Sequence, residues 1–193
     1  MSGNPQNIST HAQEANRQTL ARVLWLLPIV FIIHDGEELL TMPSWVAGHQ
    51  RELDQLARMN ETAAAMVRSL PATTAQVAIA IGFILLVFVV VTAGASSSKG
   101  RGVWLYAYAS LLGVLFLHVF THIAQAVLIG GYVPGLIGAV LAIIPGTLYI
   151  YRRLFEAELL TLQSAAVTAL LGFILFIPGA MLAHQIGRML GSS

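Results

Sequence analysis

Four ionisable side chains crowd into five residues, His34-Asp35-Gly36-Glu37-Glu38, within an otherwise apolar run over residues 23–40. Wound as a helix, His34, Glu37 and Glu38 stand at i, i+3 and i+4 and share one face. Imidazole and carboxylate on one face can bind a divalent cation or relay a proton. A second pair, His118 and His122, stands at i, i+4 in another apolar run, with Gln125 below it. Two histidines at that spacing can share one cation, as in helix-borne zinc sites. His184 lies in a third apolar run.

Such groups are costly where they stand. An acidic residue at the centre of a membrane helix costs about 2.5–3.5 kcal/mol, so three cost roughly 7–10 kcal/mol. The Leu, Ile, Val and Phe side chains of residues 23–40 return only about 0.3–0.6 kcal/mol each, roughly 3–7 kcal/mol together. The helix therefore needs help. The acids must be protonated, lie near an interface, pair, or bind a cation.

The elements that must position these groups are helices in a membrane. The chain has 193 residues, 56% of them hydrophobic and 10% charged, with a mean hydropathy of +0.75. Soluble domains carry nearer 25% charge, so this composition reads as an integral membrane protein. A net charge of +1 argues against a nucleic-acid partner. With no cysteine, metal ligands must come from His, Asp and Glu.

The pattern predicts an all-α protein, a bundle of five transmembrane helices with one amphipathic interfacial helix. Residues 1–21 read as a polar tail that includes His11, and residues 22–190 as a single membrane domain. The tail does not read as a cleaved signal, because its apolar run starts late and is followed by acids. The first span covers about residues 22–41, with Pro28 placed to kink it. Residues 44–70 carry Trp45, Leu53, Leu56, Ala63, Val67 and Leu70 at helical spacing, with Arg51, Glu52, Asp54, Arg58 and Arg68 off that stripe. This segment reads as a helix on the membrane surface, passive or a lid over the first helix's polar end. His49 within it reads as solvent-facing. Further spans cover about residues 74–94, 103–130, 136–151 and 159–190, with a tight Gly-Tyr-Val-Pro-Gly connection at 131–135.

Five spans put Lys99, Arg101, Arg152 and Arg153 on the side of the amino terminus, which the positive-inside rule makes cytoplasmic. His34 then lies about 18 Å into the first helix, and His118 and His122 about 22–28 Å into the third. His184 lies near the far end of the fifth. All reach the same half of the bilayer.

His34, Glu38, His118, His122 and His184 are thus the expected metal ligands, with Glu37 as the catalytic base. Imidazole with carboxylate suits zinc first and non-haem iron second. The leading expectation is a metal-dependent enzyme, hydrolase or oxidoreductase, acting on a lipophilic small molecule or lipid. The alternatives are a proton or divalent-cation transporter, or a scaffold whose polar groups only fix helix packing.

The motif from His34 to Glu38, followed by Pro43 and Trp45 and later by Tyr132-Val133-Pro134-Gly135, resembles the HXXEE-domain family of small bacterial membrane proteins. That resemblance implies a bacterial cytoplasmic membrane and a role for His34, Glu37 and Glu38. It implies no particular reaction.

Overall fold

The computed structural model describes residues 18–71 and 73–191, and of Ile177 only the backbone. Most of the expected tail, His11 included, lies outside the described residues. Residues 18–24 are already helical. Among the described residues every regular element is a helix: α1 (Leu26–Gly48), α2 (Gln50–Ala57), α3 (Glu61–Ser69), α4 (Thr74–Ser97), α5 (Gly102–Ile129), α6 (Leu136–Glu156) and α7 (Leu162–Leu190).

Four of these, α4 to α7, are long and apolar enough to cross a membrane. Composition separates α1 from them, because it carries Asp35, Glu37 and Glu38. Its burial pattern is nonetheless inverted relative to a soluble helix. His34 and Asp35 are buried, while Ile29, Ile32, Ile33 and Leu40 point outward. The apolar part of α1 packs on α4 and α6, with Leu27 and Phe31 buried and the Phe31 ring 4.5 Å from that of Phe88. Helix α7 packs on α4 and α5.

Both ends of α1 meet the ends of its neighbours. At one end, in the helical stretch just before α1, Leu20 and Leu24 share a cleft with Lys99, Arg101, Arg153 and Leu159. At the other, the Trp45 indole N–H donates to the Tyr132 carbonyl at 2.8 Å.

Pro28 has no N–H for the Leu24 carbonyl, and the helix is interrupted at Trp25. The freed carbonyl lies in the core, where the Tyr108 hydroxyl donates to it at 2.9 Å. A buried acceptor stripped of its donor costs about 1–3 kcal/mol. Tyr108→Phe should therefore destabilise the protein by about that much. Thermal unfolding in a mild detergent checks this, and an unchanged midpoint would contradict the account.

The expected boundaries need two corrections. Helix α1 runs past Thr41 and through Pro43 to Gly48. The Thr41 hydroxyl donates to the Glu37 carbonyl and the Ser44 hydroxyl to that of Thr41, so side chains supply local bonds around the proline. The stripe over 44–70 is not one helix. Beyond the end of α1 it forms α2 and α3, broken where the Asn60 side chain accepts the Ala63 N–H at 2.8 Å.

Helix α6 starts irregularly. Residues Ala139–Ile143 form a π turn ahead of Pro145, which has no N–H for the Leu141 carbonyl. Ala139 and Ile143 are wholly buried.

Candidate metal centre

The site is built where α1, α5 and the start of α6 meet. His34, Glu38, His118 and His122 each offer one ligand atom, and the four atoms lie within 4.8 Å of one another. The Nε2 atoms of His118 and His122 are 2.9 Å apart. Glu38 Oε1 lies 3.4 Å from His122 Nε2 and 3.8 Å from His34 Nε2. Two ligands held about 2.0–2.1 Å from a tetrahedral zinc are roughly 3.3 Å apart, so these spacings suit one coordination sphere. The three imidazole planes stand nearly perpendicular, at 83°, 78° and 80° to one another. This group could hold a metal ion.

Hydrogen bonding supports that use of the rings. The Thr121 hydroxyl donates to the His118 carbonyl at 2.7 Å. Its oxygen can then accept from His118 Nδ1–H at 3.1 Å. That tautomer leaves the Nε2 lone pair facing the other ligands. Both ring nitrogens of His34, and Nδ1 of His122, are buried without a hydrogen bond. The carbonyls of Gly135 and Pro134 approach those two rings, short of hydrogen-bond geometry. A buried imidazole with neither nitrogen satisfied is expensive as a packing element, and a cation on Nε2 removes part of that cost.

The two glutamates of the motif part company. Glu38 faces the histidines. Glu37 accepts from the Tyr132 hydroxyl at 2.6 Å, from Ile137 N–H at 3.3 Å and from Gly138 N–H at 2.5 Å. It therefore caps the amino-terminal end of α6, where unpaired N–H groups and the helix dipole favour an anion. Burial, then the bond to Glu37, raises the Tyr132 hydroxyl above its ordinary pKa, so it remains a donor. Glu37, the expected base, is not among the four residues whose ligand atoms converge.

His184 is likewise outside the four-atom group. It lines a cavity of about 200 Å³ beside the centre, together with Asp35, Glu38, His118, His122 and Gln125. Asp35 was not among the expected site residues. It is buried, lines this cavity, and takes no hydrogen bond among the described residues. Its position next to His34, in a run too costly for an unused acid, was the available signal. Ser69 at the end of α3, and Leu70 and Pro71 after it, line the same cavity, and Arg188 of α7 donates to the Arg68 carbonyl at 2.5 Å.

Residues 25–150 match the family described as proteins of unknown function with an HXXEE motif. The chain belongs to that family. The matched stretch holds all four residues of the cluster and ends before His184. No curated protein and no solved structure matches the chain.

Proposed function

We propose that this chain is a membrane hydrolase whose His34, Glu38, His118 and His122 hold one divalent metal ion, zinc foremost, beside a cavity for a lipophilic substrate. The observation that carries the reading is the convergence of three perpendicular imidazoles and one carboxylate at a buried point with a cavity alongside. His118 and His122 meet Nε2 to Nε2 at 2.9 Å, as a scaffold pair would, but both ring nitrogens of buried His34 lack a hydrogen bond, which a group serving packing alone would not leave.

A bound cation would supply Lewis acidity to a substrate oxygen or to water. The chain's own residues do the rest. Asp35, on the cavity wall, is placed to take the proton of an attacking water and return it to the leaving group. The water oxygen joins the electrophilic carbon and the bond to the leaving group breaks. Glu37 is a positioning residue in this reading. It fixes the start of α6, and with it Gly135, against the ligands.

The reading takes α1 as a fifth crossing. Its outward side is apolar, its acids turn inward, and its ends meet those of α4 to α7. Helices α2 and α3 then lie on the membrane surface over the cavity mouth. Lys99, Arg101, Arg152 and Arg153 mark the cytoplasmic end of a bacterial inner membrane, and the metal sits toward the opposite face.

The test is metal analysis of protein purified in a mild detergent without chelators, followed by zinc titration of a stripped sample. The expected result is close to one ion per chain, restored on titration. Protein that neither carries nor takes up a divalent ion would overturn the reading.

A further inference from the structure

A second hollow adjoins the metal centre. It is a groove of about 510 Å³ between α4, α5 and α7, walled almost wholly by apolar side chains. It opens outward, since Phe83, Val87, Leu175 and Leu182 on its walls are exposed. Ile84, Phe88, Val114 and Phe176 line both the groove and the cavity beside the metal ligands. Along α5, Val114 is one turn from His118, about 6 Å. The two hollows therefore share a wall made of these four side chains.

We infer that this groove seats the acyl chain of a bilayer lipid whose polar head is turned into the cavity at His118, His122 and Asp35. This rests on the hydrolase reading for its chemistry, but its geometry stands separately. Length fits. From Gly172 to Ile186 the groove follows α7 for about 21 Å, against roughly 15 Å for half of a hydrocarbon core. A helix of a second copy would lie against the same face, and the cross-linking below tells the two apart. The tail alone gains little over bulk lipid, which is just as apolar. Preference for one lipid must come from the head, held by the polar groups of the cavity. The substrate class is then an acylated lipid, reached sideways from the membrane.

Gly179 gives the test a clean handle. It lines the groove, and a side chain added there meets nothing within 4 Å. Gly179→Phe should fill the groove without disturbing the helices. Val87→Trp plugs it from the facing wall, and Gly82→Phe is the control, since Gly82 also has open space and lies outside the groove. Each protein is placed in phosphatidylcholine vesicles containing a phosphatidylcholine with a photoactivatable acyl chain. After illumination the labelled peptides are mapped, and metal content is measured on the same samples. Labelling is expected to concentrate on residues 83–91 and 172–186. It should fall severalfold in Gly179→Phe and Val87→Trp but not in Gly82→Phe, with metal content unchanged in all. Labelling spread evenly over outward residues such as Leu86 and Val127, or a cross-linked dimer through this face, would overturn the inference. Concentrated labelling in a protein without metal would leave the groove standing and remove the hydrolase reading. Even labelling in a metal-loaded protein would do the reverse.

Discussion

His122→Ala is expected to empty the metal centre. No other ligand touches so much of the cluster: its Nε2 is 2.9 Å from that of His118 and 3.4 Å from Glu38 Oε1, and its ring centroid is 4.8 Å from that of His34. Binding of a structural zinc is worth about 10–16 kcal/mol, so one ligand in four carries roughly 3–4 kcal/mol, or about a 10²–10³-fold loss of affinity. His184→Ala is the matched comparison, because it removes a histidine from the same cavity but outside the four ligand atoms. Competition titration against a chromogenic chelator reads both. The expected result is a loss of at least about a hundredfold for His122→Ala and less than tenfold for His184→Ala. Equal losses would return His184 to the ligand set. No loss from either would mean that the cluster is not where metal binds. Thermal unfolding of each variant separates loss of a ligand from loss of the fold.

Much of this centre was legible in the sequence, for a definable reason. Ionisable groups inside apolar runs are so costly that they must find one another, which links His34 and Glu38 to His118 and His122 before any coordinates. What the sequence left open is rotation. Periodicity puts both Glu37 and Glu38 on the His34 side of a helix, but cannot say which one a neighbour meets. Packing decides it. Helix α6 approaches so closely that a Cβ on Gly138 would lie 2.8 Å from the His34 Cα and 3.0 Å from a Glu37 oxygen, so Glu37 is taken up by the start of α6. Asp35 escaped because a single-stripe view treats i+1 as a different face. Here α1 is buried over a wider arc, and Asp35 looks into the cavity. His184 was placed at the right end of the bundle, but depth along a helix fixes only one coordinate, and the cavity stands between it and Glu38. The break before α3 did carry a local signal, Asn60 ahead of Glu61, overridden by the longer apolar stripe.

The family's motif names α1, but the second largest expected effect falls on the loop before α6. Gly135 has φ +84, a conformation that suits glycine and strains other residues. A Cβ at this position would lie 2.6 Å from His122 Cε1 and 2.8 Å from both Glu38 Oε1 and His34 Cε1. Three of the four ligand residues would be pressed by one methyl group. Gly135→Ala should therefore lose stability twice: about 1–2 kcal/mol from the backbone and about 1–3 kcal/mol from overpacking. It should also weaken metal binding by about 10–100-fold, the range seen when groups that orient ligands are disturbed. Gly130→Ala separates the two causes. Gly130 has φ +75, so the backbone strain is alike, but a Cβ there meets nothing within 4 Å. Its expected result is the backbone loss alone, with metal affinity unchanged. Chelator competition and thermal unfolding on the two variants decide the matter. If both lose metal equally, the effect comes from distorting the connection between α5 and α6. If only Gly135→Ala does, the absence of a side chain at residue 135 is what lets the histidines and Glu38 close on one ion.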